Sequence, residues 1–279
     1  MKLRLDHVVI AVHDLATAMA DYTALGFLVL AGGAHPGRES HNALVVFDDG
    51  AYLELIAWRA PNHEPWYQTL QADGEGLVDH ALLPPHGTDM AALAEAARAR
   101  GLTTLGPLTP GGRLRPDGQQ VAWQSLRQTT RALPFVCADV TPRALRVPEG
   151  DVRHQANGVT GIAAVLLAVA NLAQARQDLQ ALLGTALQHG LPDGPASAWP
   201  ELGEPGLACA WAALDGGQLV LVAPQPGAAA GSTAAALQDR LARRGPGPWR
   251  LLLRGQPGTP AGTLPAALGH QVVMHIAAA

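Results

Sequence analysis

One segment of this chain occurs twice, and the repeat limits what the chain can fold into. Leu5-Asp6-His7-Val8-Val9-Ile10-Ala11-Val12-His13-Asp14-Leu15 aligns without a gap with Ile162-Ala163-Ala164-Val165-Leu166-Leu167-Ala168-Val169-Ala170-Asn171-Leu172. A second pair follows each copy: Asp49-Gly50-Ala51-Tyr52-Leu53-Glu54-Leu55-Ile56-Ala57 matches Asp215-Gly216-Gly217-Gln218-Leu219-Val220-Leu221-Val222-Ala223. The apolar frame is kept, but His7 becomes Ala164 and Glu54 becomes Val220. A scaffold that is duplicated while its His and Glu are not points to chemistry in the first copy and support in the second.

Periodicity extends the repeat to four strand-rich units. The first opens with a strand near Leu3–Val12. Asp14 is placed to accept free amides of a helix's first turn; Leu15, Ala18, Met19, Tyr22 and Leu25 recur at helical spacing, and Gly26 ends the run. Strands are expected at Phe27–Ala31, Ala43–Phe47 and Tyr52–Trp58, giving the order βαβββ. The second unit repeats that order with strands near Leu77–Leu83, Leu102–Leu108, Gln120–Leu126 and Leu133–Asp139, and a helix from Asp89 to Gly101. The third has a strand from Val159, a helix from Asn171 to Gly184, and strands at Leu207–Ala213 and Gln218–Ala223. The fourth is trimmed to a helix at Thr233–Arg244 and strands at Trp249–Arg254 and Gln271–Ile276. By composition, Gly190–Pro205 and Gly255–Pro265 read as loops. The expected fold class is α+β, with repeated βαβββ modules forming curved mixed sheets in two paired-module halves. The expected domains are 1–140, carrying the site, a connector at 141–158, and a degenerate second domain at 159–279 serving as scaffold.

Composition excludes several functions. At 48% apolar residues the 279-residue chain can bury a large core, and a net charge of −4 with no basic run gives nucleic-acid binding little electrostatic support. No apolar run approaches the ~20 residues of a membrane helix. The N-terminus lacks the features of a signal peptide. Cys137 and Cys209 form no CxxC, which fits a reduced, cytoplasmic setting. No Walker loop, GxGxxG or nucleophile elbow is present, so no nucleotide cofactor is expected.

Several polar residues stand out as candidates. Glu54 lies between Leu53 and Leu55 on an apolar strand, where a carboxylate is costly to bury unless it is paired or metal-bound. A metal-ligand pair and a buried His7–Glu54 hydrogen bond both satisfy that requirement. His35, Arg38, His41 and Asn42 flank a Gly-Pro loop, Gly32–Asn42, and are candidates for substrate contact. His35 and His41 are also candidates for proton transfer, since imidazole titrates near neutral pH. Arg113 and Arg115 are candidates to grip a substrate carboxylate, and Trp123 is a candidate for the pocket wall. His13, His63, His86, His154, His189, His270 and His275 have no partner that the sequence reveals.

The opening Leu-Asp-His-Val-Val-Ile-Ala-Val and the strand Tyr-Leu-Glu-Leu-Ile resemble the glyoxalase-like domain proteins of the vicinal oxygen chelate (VOC) superfamily. Gly32-Gly33-Ala34-His35-Pro36-Gly37 with Asn42-Ala43-Leu44, and Arg115-Pro116-Asp117-Gly118 with Trp123, carry the same resemblance. It implies paired modules curved into a cup, and a divalent ion (Zn, Fe, Mn or Ni) held by His and Glu from the first and last strands of each module. On this chain those ligands would be His7, Glu54 and His80, with no Glu at the end of the second unit. The resemblance implies lyase, isomerase or ring-opening dioxygenase chemistry on an oxygen-bearing small molecule. A metal-free sequestration or resistance protein is the alternative, and the chain is expected to act as a monomer or homodimer.

Overall fold

A computed structural model describes residues 2–277. The first unit comprises β1 (Arg4–Ala11), α1 (Leu15–Ala24), β2 (Leu30–Ala34), β3 (Ser40–Val46) and β4 (Tyr52–Trp58). Helix α2 (Pro65–Asp73) leads to the second unit: β5 (Gly76–Leu83), α3 (Met90–Ala99), β6 (Leu105–Leu114), β7 (Gln120–Gln128) and β8 (Phe135–Asp139). A one-turn helix, α4 (Arg143–Arg146), and a 3-10 turn occupy the connector. The third unit is β9 (Val159–Ala168), α5 (Leu172–Leu183), β10 (Gln188–His189), α6 (Asp193–Ala198), β11 (Leu207–Ala213) and β12 (Gln218–Pro224). Helix α7 (Thr233–Arg244), β13 (Gly247–Gly255), β14 (Gly262–Thr263) and β15 (Val273–Ala277) complete the chain.

The helix starts follow from their caps. Asp14 accepts the Thr17 amide at 2.7 Å, and its repeat partner Asn171 accepts the Gln174 amide at 3.1 Å. Asp89 and Ser232 cap α3 and α7 in the same way. Each oxygen satisfies a first-turn N–H that has no partner inside the helix.

The eight strands of the first half close into a barrel in the order β1-β4-β3-β2-β6-β7-β8-β5. The second half is an open seven-stranded sheet, β10-β11-β12-β9-β13-β15-β14. The pairings correspond: β1 runs parallel to β4 with His7 beside Tyr52, and β9 runs parallel to β12 with Ala164 beside Gln218. In the fourth unit β13–β15 repeats the parallel β5–β8 pair, and β14–β15 repeats the antiparallel β7–β8 pair. No described strand takes the bridging place of β6, so the second sheet stays open.

Three expectations are corrected here. Helix α7 is not the fourth unit's own helix; it precedes β13 as α2 precedes β5. The short helix α6 arises within Gly190–Pro205, which composition reads as loop, and helix α2 lies between the expected strands Tyr52–Trp58 and Leu77–Leu83, where no element is expected. Strand β2 lies at Leu30–Ala34 rather than at Phe27–Ala31, and β3 begins at Ser40, so much of the expected Gly-Pro loop is strand. Glycines disguise this edge in the sequence because they carry no apolar alternation.

One main core spans both halves. Val8, Ile10, Leu53 and Leu55 pack in the same cluster as Val165, Leu167, Leu219 and Leu221. His270 finds partners across this seam, with Nδ1 2.8 Å from Glu75 and Nε2 3.2 Å from Asp21. Among the described residues no helix is long and apolar enough to cross a membrane.

Candidate active site

A cavity of about 310 Å³ opens inside the barrel of the first half. Strand alternation decides which side chains enter it. Antiparallel pairing sets Asn42 opposite Ile56 and Leu44 opposite Glu54, so the even-numbered residues of β3 and β4 share the inward face. His7 enters from β1.

The contact between Asp6 and His7 needs an irregularity, because neighbouring strand residues normally point to opposite faces. Pairing with β5 shifts between Leu5 and His7: Leu5 faces Leu82 and His7 faces Ala81, which leaves Asp6 as an extra residue. A bulge of this kind bends the strand and re-aims a side chain. It brings Asp6 Oδ2 to 2.8 Å from His7 Nδ1. The second half keeps the same irregularity, with Ala163 between Ile162 and Ala164, but places no carboxylate there.

Asp6 is fully buried. Burial alone would push its carboxyl up, but Arg146, His7 and Arg143 outweigh that and hold it well below the usual carboxylate range. Arg146 reaches Asp6 at 2.8 Å, Tyr52 Oη at 2.8 Å and Asp139 at 2.5 Å, and Arg143 reaches Asp6 at 2.8 Å. Both arginines stand on α4, so the connector forms part of the site's support. An ionised Asp6 can only accept, so His7 Nδ1 carries the proton between them.

His7 stacks on Tyr52 with ring centroids 4.6 Å apart and meets the edge of Phe135 at 5.4 Å. Its Nε2 faces Glu54 Oε2 at 3.5 Å. Asn42 Nδ2 donates to Glu54 Oε1 at 2.6 Å, and His35 Nε2 lies 4.0 Å from the same oxygen. Burial raises the Glu54 carboxyl, but His7, His35, the Asn42 amide and Arg113 together bring it below its ordinary value. Burial lowers His35 more than Glu54 raises it, so His35 is the more readily neutral. Its Nδ1 sits 3.1 Å from Ser40 Oγ. Arg113 is buried, donates to the Arg146 carbonyl at 2.7 Å, and leaves its Nε without a partner among the described residues. Trp123 lies over Gly111, where a Cβ would collide with the indole.

His7, Glu54, His35, Arg38, Asn42, Arg113 and Trp123 therefore share one cavity. His41, His80 and Arg115 lie elsewhere. His41 is odd-numbered on β3 and points away, toward Arg59 and Asp14. Arg115 is in the β6–β7 turn, paired with Asp117 at 2.9 Å and donating to the Leu145 carbonyl at 2.7 Å. His80 pairs with Val8, a main-core residue, whereas Asp79 pairs with Val9 on the face of His7. Both His80 ring nitrogens lack a partner among the described residues, and burial pushes its pKa down to about 3.

Asp6, Tyr52, Arg127 and Arg146 are site residues that sequence reasoning missed. Two of them were visible in the repeat, where Asp6 becomes Ala163 and Tyr52 becomes Gln218. Nothing in the sequence connects Arg146 to a strand 140 residues away.

The donor set tests the metal that the resemblance implies. His7 Nε2 and Glu54 Oε2 converge, but no group of three or more His, Cys, Asp or Glu able to hold a metal occurs among the described residues. Protein metal sites take three or four such ligands. The remaining neighbours of Glu54 are His35, whose Nε2 faces the other carboxylate oxygen at 4.0 Å, the Asn42 Nδ2 group and the Arg113 cation, the last two of which are not metal donors. Cys137 lines the cavity, but burial pushes its thiol up to about 12. The residues present do not make a self-sufficient metal centre.

Comparison with known proteins agrees with this fold. The glyoxalase-like domain family matches residues 5–183, and the chain belongs to that family within the VOC superfamily. A hypothetical protein from Staphylococcus aureus superposes with a TM-score of 0.66 at 12% identity, covering 98% of each chain. A mutant 4-hydroxymandelate synthase from Streptomyces coelicolor superposes with a TM-score of 0.63 at 14% identity, covering 95% of this chain and 78% of the other. A xylose isomerase-like TIM barrel/4-hydroxyphenylpyruvate dioxygenase fusion protein gives 0.53 at 15% identity, covering 92% of this chain and 38% of the other. At such identities the likeness is one of fold. No curated protein matches the sequence.

Proposed function

We propose that the first-half cavity is the active site of an isomerase or lyase that moves a proton on a small, oxygen-bearing anion. The observation that carries the proposal is the His7–Glu54 contact. With the Nδ1 proton committed to Asp6, His7 Nε2 presents its lone pair to a carboxylate 3.5 Å away. Two acceptors at that distance are satisfied by one shared proton, so the pair is built to take a proton from a bound molecule and return it. Asp6 orients the imidazole and stabilises its charged form, as an orienting carboxylate does for other histidine bases. When the base removes a proton beside a carbonyl, the electron pair moves onto the carbonyl oxygen. Arg113, a buried cation lining the cavity, would hold that oxyanion and the substrate's own negative charge. Returning the proton completes an isomerisation; loss of a leaving group completes an elimination.

His35 stands on the other side of Glu54, placed to relay the proton outward. Arg38, Asn42 and Trp123 frame the bound molecule. VOC proteins commonly use divalent metals, but His7 and His35 face different oxygens of Glu54 and no group of three or more ligands able to hold a metal occurs among the described residues, so no step is assigned to one. The free thiols of Cys137 and Cys209 support a reducing, cytoplasmic setting.

The test is proton exchange in D2O, followed by NMR over a panel of 2-oxo acids, 2-hydroxy acids and 1,2-dicarbonyls. Wild type should exchange the activated hydrogen of at least one compound, and His7→Gln should slow this by about 10²–10⁴-fold. A panel member that binds wild type without exchange would make the protein a carrier. Metal analysis of tag-free protein should find less than one ion per chain. A tightly held stoichiometric ion, lost in Glu54→Gln, would return the site to metal chemistry.

A further inference from the structure

A second cavity, of about 870 Å³, adjoins the first. Arg38, Glu64, Trp66, Arg127 and Phe135 line both, so the two cavities abut at these five residues. The inner chamber is crowded with charged and hydrogen-bonding groups. The outer one has an apolar wall of Pro65, Trp66, Leu133, Phe135 and Pro246. Pro246 comes from the second half, which therefore contributes to the wall of the outer chamber.

Arg127 stands at the junction. Its guanidinium lies 4.5 Å from the Trp66 ring centroid and 4.3 Å from that of Phe135. Its carboxylate partner, Asp79, is 3.5 Å away, at the long end of the range, and its side chain is 41% exposed. Trp66 Nε1 donates to the same Asp79 carboxylate at 3.0 Å, which fixes the indole against β5. A planar cation held against two rings and still 41% exposed is a stacking platform for another flat group.

We infer that the substrate has two parts: an anionic, oxygen-bearing head for the inner chamber and a flat aromatic tail that stacks on Arg127 in the outer one. This rests on the proposed function only for the placement of the head. Tail recognition is read by binding alone and head chemistry by exchange, so the two can fail separately.

The experiment is calorimetric titration with acetate, benzoate, 2-naphthoate and decanoate. In wild type, affinity should rise at least about tenfold from acetate to 2-naphthoate as apolar surface is buried. Naphthoate should also bind more tightly than decanoate. Thr69→Trp and Thr130→Trp fill the outer chamber from two sides; each folded variant, checked by thermal melting, should lose the gain while binding acetate as wild type does. Arg127→Met should remove the preference for naphthoate over decanoate. The inference is overturned by equal affinity for acetate and naphthoate, by no binding of any probe, or by a gain that survives both tryptophans. A preference for decanoate would replace the aromatic tail with an alkyl one and overturn the stacking role of Arg127.

Discussion

A carboxylate taken fully out of water is tolerated only when its charge is met on several sides, and Asp6 is the clearest case in this molecule. Arg146, Arg143 and the His7 imidazole surround it. Asp6→Asn leaves two arginines facing one another with less compensation, and should destabilise the fold by about 3–5 kcal/mol. The pH dependence gives a second readout. The folded pKa of Asp6 lies below its unfolded value of about 3.9. Its contribution is therefore fully present above that value and is lost as pH falls through the depressed folded one. Thermal melts of Asp6→Asn should fall less steeply than wild type below about pH 4; parallel acid limbs would remove Asp6 from this role. His80 is the opposite case, a buried imidazole with neither nitrogen bonded among the described residues. His80→Leu should stabilise by about 1–3 kcal/mol in denaturant melts, and any loss of stability would reveal a partner for His80. Both residues show how far sequence reaches. A histidine in an apolar strand announces that it is unusual, but its face depends on pairing register, and the bulge that aims Asp6 at His7 leaves no mark in the residue pattern.

At the scale of elements, the barrel depends on its seam between β2 and β6. Those strands meet at a single registered pair, Ala34 with Leu114. Beside it, Gly33 has φ +134°, and a Cβ there would sit on the Leu114 carbonyl oxygen. Gly33→Ala should therefore cost about 3 kcal/mol or more and lower amide protection along β2 and β6 in hydrogen exchange. Unchanged protection would mean that the seam closes without this close approach. The same stretch explains why the site was only partly legible. Read as a loop, Gly32–Asn42 gives His35, His41 and Asn42 equal claims on a pocket. As a strand from Ser40, it sends Asn42 inward and His41 outward by alternation alone. The helices were easier to read, because caps such as Asp14, Asn171 and Asp89 are local signals. Helix α2 lacks such a signal, because no side chain caps its start.

The two halves share a scaffold and diverge in what fills it. In the second sheet, the positions matching His7 and Glu54 belong to a sealed apolar cluster in which Trp199 and Leu202 pack on Ala164 and Val220. These plugs come from the segment between β10 and β11, the counterpart of the β2–β3 turn that supplies His35. One cup has a polar lining and the other is core, and the repeat carries that contrast at His7 and Glu54, which become Ala164 and Val220. The sequence did not announce that the halves fold as one body. The faces of β1 and β4 turned away from the cavity bury their apolar residues with those of β9 and β12 in a common cluster, and Arg100 and Arg244 donate to backbone carbonyls across the seam. Residues 1–158 made alone would expose this surface, so the site-bearing half should not hold its shape. The expected result is a broad thermal transition without an enthalpy peak, weak near-ultraviolet circular dichroism and strong binding of a hydrophobic dye. Adding residues 159–279 in trans should restore a cooperative transition if the common core is what the first half lacks. A sharp transition and native near-ultraviolet signal from 1–158 alone would show instead that the barrel carries a sufficient core and that the second half is dispensable for stability.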